Sequence, residues 1–181
     1  MTTSTGSHAA PGSLQQLLDE RDILACVHRY CRGVDRLDEA LVRSAYHSDA
    51  IDDHAVFRGS VDEFIMWAFA FHRERHLSHQ HYVTNHTAEI VGDIARSETY
   101  FVMAARNRQG ASVTLHGGRY VDRFERRRGL WRIAHRVSMV EWVGGLADPK
   151  LPMVSRAPNG TIARDLNDTS YDDWFLRPDI G

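Results

Sequence analysis

Over residues 14–34 the apolar positions Ile23, Val27, Tyr30 and Val34 recur at i, i+4, i+7 and i+11, the stripe of a helix with one buried face. Gly33 and the segment Asp35-Arg36-Leu37-Asp38 mark its end, and Leu41, Val42 and Ala45 predict a second, short helix. Asp35 falls at the corner between the two, where a carboxylate can cap the second helix by accepting from its backbone N–H groups. Residues 50–58 read as a short strand or hairpin. Ser60-Val61-Asp62-Glu63 then has the capping-box pattern, and Phe64, Trp67, Ala68 and Phe71 follow at helical spacing as the broad aromatic face of a third helix.

After this helix the pattern changes to that of strands. Residues 80–91, 94–106, 112–125 and 130–143 are strand-like, separated by Gly92-Asp93, Asn107-Arg108-Gln109-Gly110 and residues 126–129. Connections that short predict antiparallel hairpins, hence a meander. Strands of such length curl, and Gly117-Gly118 is the expected bulge or sharp bend. Three helices ahead of a long curled antiparallel sheet predict an α+β cone whose helices close the concave face. Residues 1–13 are small and uncharged and are expected to be disordered. Residues 14–143 form the domain, and the Gly- and Pro-rich residues 144–181 are expected as an arm that buries Tyr171, Trp174 and Phe175 over the barrel or on a neighbouring subunit.

Composition narrows the classes. A chain of 181 residues, 43% hydrophobic and 25% charged, is one ordinary globular domain able to bury a core. A formal charge of −2, with no basic run beyond Arg126-Arg127-Arg128 in a hairpin loop, argues against nucleic acid. No apolar run approaches the ~20 residues needed to cross a bilayer, which argues against a membrane role. The opening residues lack the basic start and apolar core of a signal peptide, so a cytoplasmic location is expected. The Asn-x-Thr triplets at Asn85, Asn159 and Asn167 then read as chance, and Cys26 and Cys31, in one helix, as buried apolar fillers.

Candidate chemistry concentrates in residues 78–86, Ser-His-Gln-His-Tyr-Val-Thr-Asn-His, at the start of the first long strand. With a period of two, His81, Val83 and Asn85 share one face, and Tyr82, Thr84 and His86 the other. A neutral imidazole in a partly apolar cavity suits proton abstraction near neutral pH, which makes His81 the candidate base. A strand histidine can equally be a packing residue. The chain holds 11 histidines, including His79-x-His81, with His47-Ser48-Asp49 as a weak echo of a facial triad. No third histidine and carboxylate stand at a matching spacing, so no metal is expected.

Three segments carry a resemblance: Gly33-Val34-Asp35-Arg36, His81-Tyr82-Val83-Thr84-Asn85, and Gly117-Gly118-Arg119-Tyr120 running through Phe124-Glu125-Arg126-Arg127 to Trp131-Arg132. Together with the element order they resemble the SnoaL-like group of the nuclear transport factor 2-like (cystatin-like cone) superfamily, over roughly residues 17–143. Its hexachlorocyclohexane dehydrochlorinases, scytalone dehydratases and bile-acid 7α-dehydratases are cofactor-free lyases. The resemblance implies a base dyad of His81 and Asp35. It also implies assistance to the leaving group from Tyr30, which matches a tyrosine of the bile-acid enzymes, and from Arg136, which aligns with an arginine of the dehydrochlorinases. A carboxylate on one ring nitrogen fixes the tautomer and supports the imidazolium, and general-base catalysis of this kind contributes roughly 10²- to 10⁴-fold.

The expected function is therefore a cofactor-independent lyase, a dehydratase or related β-elimination enzyme, acting on a flat and largely apolar ring compound. Trp67, Phe71, Phe101, Tyr120 and Trp142 offer its lining, and Asn85 a polar contact. Two alternatives stay open: a C–C lyase releasing formaldehyde from a lignin-derived aromatic, and a non-catalytic small subunit of a ring-hydroxylating dioxygenase. The histidines His54, His79, His86 and His116 fit no single pattern of the group. Residues 130–143 are apolar on both alternating faces, which predicts a homo-oligomer built through the convex sheet face; the resemblance implies a trimer, with a dimer as the other arrangement.

Overall fold

The computed structural model describes residues 12–54, 56–146, 156–157, 160–161, 163–165 and 167. Ser13 caps α1 (Leu14–Arg36), its hydroxyl accepting from the Gln16 backbone N–H, and the helix buries the expected stripe of Ile23, Val27, Tyr30 and Val34 together with Cys26 and Cys31. Burial pushes the two thiols up to about 11 and about 12, so both stay protonated and serve as packing. α1 continues past Gly33 to Arg36 and closes at Leu37, whose φ of 53° is left-handed. The N–H groups of Leu37 and Asp38 return to the carbonyls of Val34 and Gly33 at 3.2 and 2.8 Å.

Gly33 is thus not the terminator. It lies within the helix because α2 (Glu39–Ala45) packs against it, and a Cβ there would run into Val42. The cap of α2 is Asp38, whose carboxylate accepts from the Leu41 N–H at 3.0 Å. Asp35 is left with its carboxylate turned elsewhere. Farther up α1, buried Asp19 accepts from Arg126 at 2.9 and 3.1 Å and from the Trp131 indole at 2.9 Å, which ties the helix to the sheet.

β1 (Tyr46–Asp53) and β2 (Arg58–Ser60) form the expected hairpin, and Ser60 opens α3 (Val61–Arg75) with a complete capping box to Glu63. The meander follows as β3 (His76–Val91), β4 (Ile94–Asn107), β5 (Val113–Arg127) and β6 (Leu130–Leu146). The six strands lie in the order β2-β1-β6-β5-β4-β3, with β1 parallel to β6 and every other pair antiparallel. A second, two-stranded sheet pairs β7 (Arg156–Ala157) with β8 (Gly160–Thr161). β6 reaches Leu146, into the segment expected to be irregular. The expectations for residues 1–11, Tyr171, Trp174 and Phe175 lie outside the described residues.

Register shifts decide which side chains face inward. One falls between Gly117 and Gly118 as expected, where added Cβ atoms would strike the Trp142 indole and the Met139 carbonyl. A second, between Val83 and His86, was not expected. Before it the inward set is His79, His81 and Val83; after it the set is His86, Ala88 and Ile90. Asn85 is exposed as a result, so it does not share the face of His81. A third, opposite Arg123 and Phe124, lets Trp131 and Ile133 point inward and then Arg136 and Ser138.

Candidate active site

Between α1, α3 and one face of the sheet lies a cavity of ≈ 190 Å³. Its walls are Tyr30 and Val34 of α1; Phe64, Trp67, Ala68, Phe71 and His72 of α3; His54 and Val56 after β1; His81 of β3; Phe101 and Met103 of β4; His116 and Tyr120 of β5; and Ser138 and Val140 of β6. The walls are largely aromatic: Phe101 stacks on Tyr120 at 4.3 Å between centroids, and Trp67 stacks on Phe57 at 5.1 Å and on Phe71 at 5.9 Å. Four of the expected lining residues, Trp67, Phe71, Phe101 and Tyr120, are there. Asn85 and Trp142 are not, the first displaced by the bulge and the second half exposed over Gly117.

His81 and Asp35 meet at the cavity wall. The ring Nδ1 donates to Asp35 Oδ1 at 2.6 Å, and the backbone N–H of the same histidine donates to Oδ2 at 3.0 Å. A carboxylate only accepts, so the proton sits on Nδ1 and Nε2 keeps its lone pair. The side chains are 7% and 14% exposed. A second opening, lined by His28, Cys31, Arg32, Asp35, Arg36, His81, Tyr82 and Val83, reaches the pair from outside the cavity.

A further histidine–carboxylate pair lines the same cavity, and sequence reasoning missed it. His54 Nδ1 donates to Asp52 Oδ1 in a short hydrogen bond, Asp52 is fully buried, and Tyr46 donates its hydroxyl to Oδ2 at 2.5 Å. Across the ring, His54 Nε2 lies 3.4 Å from the Tyr30 hydroxyl, and the imidazole stacks on Phe64 at 4.9 Å. Burial, and then the Asp52 charge, hold the Tyr30 hydroxyl well above its ordinary range, so it stays a donor. The signal was present in the sequence: Asp52-x-His54 on a strand places both side chains on one face.

Arg136 points inward but does not reach the cavity. Asp122 binds it bidentately at 2.7 and 2.6 Å, and its guanidinium lies 4.0 Å from the Tyr30 centroid and 4.1 Å from that of Tyr120. The two rings separate it from the cavity, so it backs them as a buried ion pair and does not contact what the cavity holds.

Beneath His81 lies a cluster of three buried imidazoles. His72 and His76 share a hydrogen bond between their Nδ1 atoms at 2.9 Å, His72 stacks on His79 at 3.8 Å, and His79 donates Nε2–H to the Val34 carbonyl at 3.0 Å. Burial, reinforced by the neighbouring imidazoles and Arg164, pushes His79 down to about 2 and His76 to about 4, and lowers His72 as well. The nitrogens of His72, His76 and His79, and those of His79 and His81 with Asp35, are close enough to share a cation. Yet the stacked rings of His72 and His79 lie within 8° of parallel, so their in-plane lone pairs do not converge. Arg164 also donates to His79 Nδ1 at 3.0 Å, and the other set is already hydrogen-bonded as the His81 dyad.

Residues 15–137 match the model of the SnoaL-like domain family. No curated protein matches the chain in sequence. Among solved structures, a type 2 hexachlorocyclohexane dehydrochlorinase is similar with a TM-score of 0.70 and 21% identity, covering 81% of this chain and 98% of that one. A scytalone dehydratase candidate from Novosphingobium aromaticivorans gives 0.65 and 14%, covering 77% and 97%. A protein of cystatin-like fold from Nostoc punctiforme gives 0.58 and 19%, covering 76% and 96%.

Proposed function

The chain belongs to the SnoaL-like domain family, and from that premise we propose that it is a cofactor-independent lyase of the dehydratase or β-elimination type. His81 is its base and Asp35 the group that holds and supports that base. The observation that carries the reading is the 2.6 Å contact between His81 Nδ1 and Asp35 Oδ1 at the wall of an aromatic-lined cavity. With its proton on Nδ1, the ring presents Nε2 to a C–H bond, and the carboxylate stabilises the imidazolium that follows. Trp67, Phe71, Phe101 and Tyr120 suit one face of a flat ring, and a cavity of ≈ 190 Å³ suits a compact one. The chemistry is redox-neutral, and the side chains supply the proton transfers.

Two readouts on simple ring ketones test this. In deuterium oxide, cyclohexanone should exchange its α-protons faster with the wild-type protein than with His81→Ala, followed by proton NMR. 3-Acetoxycyclohexanone should be converted to cyclohexenone with the same dependence. Equal rates for wild type and His81→Ala would overturn the assignment of the base.

A further inference from the structure

From the second dyad we infer that His54 is the acid of the same reaction, and that the natural substrate carries an oxygen leaving group on its ring, as in a β-hydroxy carbonyl compound. This deepens the lyase reading and rests on it.

The two dyads sit in different surroundings, and the difference assigns their roles. Asp35 accepts one ring and one backbone hydrogen bond from His81, has His79 Nε2 3.7 Å away, and borders an opening to solvent. Asp52 is fully buried, and among the described residues its hydrogen-bond partners are Tyr46 and His54. The nearby buried guanidinium, Arg136, is held bidentately by Asp122. A buried carboxylate must be met by donors, and His54 links this one to the cavity, with Nδ1 on Asp52 and Nε2 beside the Tyr30 hydroxyl, so this pair is placed to hold a proton and pass it inward. Pairs of like groups held in unlike environments are how one site provides both an acid and a base.

Position agrees with this division. β3, which carries His81, is one edge of the six-stranded sheet, whereas β1, which leads into His54, lies toward the other edge. Both rings line the one cavity, so a ring bound there is approached by the two groups from different strands. Halide departs without a proton, and such an acid would be idle beside it. Hydroxide is a poor leaving group and needs one.

His81 Nε2 takes the proton from the carbon next to the carbonyl, and the electron pair of that C–H bond becomes the new C=C bond. The C–O bond breaks, its pair stays on oxygen, and that oxygen takes the proton from His54 Nε2 and leaves as water. The Tyr30 hydroxyl, 3.4 Å from His54, is placed to hold the departing oxygen. One proton has moved from His54 to His81, and exchange with water resets both.

The test compares 3-hydroxycyclohexanone with 3-acetoxycyclohexanone in the wild type, His54→Gln and His54→Asn, with α-proton exchange of cyclohexanone as the control for an intact site and a working base. The expected result, with each rate taken relative to the exchange rate of the same variant, is a loss of roughly 10²- to 10⁴-fold on the hydroxy ketone and a change of no more than a few-fold on the acetoxy ketone. Equal losses on both ketones, or none on the hydroxy ketone, with exchange intact, would overturn the acid while leaving His81 standing. Absence of exchange in the wild type would overturn the base, and this inference with it.

Discussion

His81 is held to Asp35 by two hydrogen bonds, one from the ring and one from its own backbone N–H, so the carboxylate fixes the strand as well as the imidazole. Replacing His81 by Ala is expected to lower elimination from 3-acetoxycyclohexanone by at least roughly two orders of magnitude, the lower end of the range for a general base, with little change in melting temperature. Asp35→Asn tests the other half. An asparagine can accept the backbone N–H through its oxygen, which turns its NH₂ toward the ring. Nδ1 must then accept, and Nε2 carries the proton and loses the lone pair that does the work. Activity should fall, while thermal stability changes little because Asp38, not Asp35, caps α2.

The buried ion pair behind the cavity gives a contrasting prediction. Arg136→Met leaves Asp122 charged, buried and unpaired, and is expected to cost about 3–5 kcal/mol of stability by urea denaturation. Arg136→Met combined with Asp122→Leu should recover much of that loss. If the single variant is as stable as wild type and only its elimination rate falls, Arg136 contacts the substrate after all.

The histidine cluster sets the acid limb of stability. His72, His76 and His79 are held neutral in the fold, with His76 near 4 and His79 near 2, whereas in the unfolded chain each takes up a proton near 6.5. Below that value the unfolded state binds more protons than the folded one, so stability rises with pH through this range and is lost as pH falls from about 6.5 toward 4. The carboxylates held below their ordinary range by hydrogen bonds, Asp49, Glu63 and Glu125, begin to lose stability only as pH falls through that ordinary range of 3.8 to 4.5, after the histidine loss has begun. Denaturation midpoints at pH 7, 6 and 5 should decline, and His72→Gln should flatten the decline; a midpoint constant from pH 7 to 5 would refute it.

Much of this was legible in the sequence because it rests on local rules. The stripe of α1, the Ser60 capping box and the glycine pair in β5 each act within a few residues, and the structure has them where they were expected. Errors came where a period was carried across an irregularity. A strict alternation puts Asn85 beside His81 and Trp142 in the lining, and bulges remove both, because one extra residue reverses every later side chain. The resemblance implies Arg136 beside the leaving group, but its partner Asp122 and the covering rings of Tyr30 and Tyr120 come from other elements and keep it behind the cavity wall. Asp52-x-His54 is visible as a pair in the sequence, but nothing local says that the end of β1 faces the same cavity as β3.

Activity on the ring ketones should survive exhaustive chelation. The proposed steps move protons between His81, His54 and a substrate oxygen, and the substrate undergoes no net oxidation or reduction. Loss of turnover after dialysis against a chelator, restored by one divalent cation, would shift the assignment to the imidazole cluster beneath His81.

Tyr82 pairs with Val102, Val102 with Gly117 and Gly117 with Trp142, one register row crossing β3, β4, β5 and β6 on the face turned away from the cavity. Tyr82 and Trp142 are 52% and 49% exposed, and Tyr100, 41% exposed, lies on the adjacent row beside the Arg119 ion pairs with Glu98 and Glu141. An aromatic band rimmed by paired charges is the composition of a protein interface. The expected assembly is a homo-oligomer through this face, and a trimer is what resemblance to the family's lyases implies. Light scattering at micromolar concentration should give a multiple of the 20.6 kDa chain, and Trp142→Glu should lower that mass while leaving α-proton exchange in the cavity unchanged. A wild-type mass of one chain would overturn the interface.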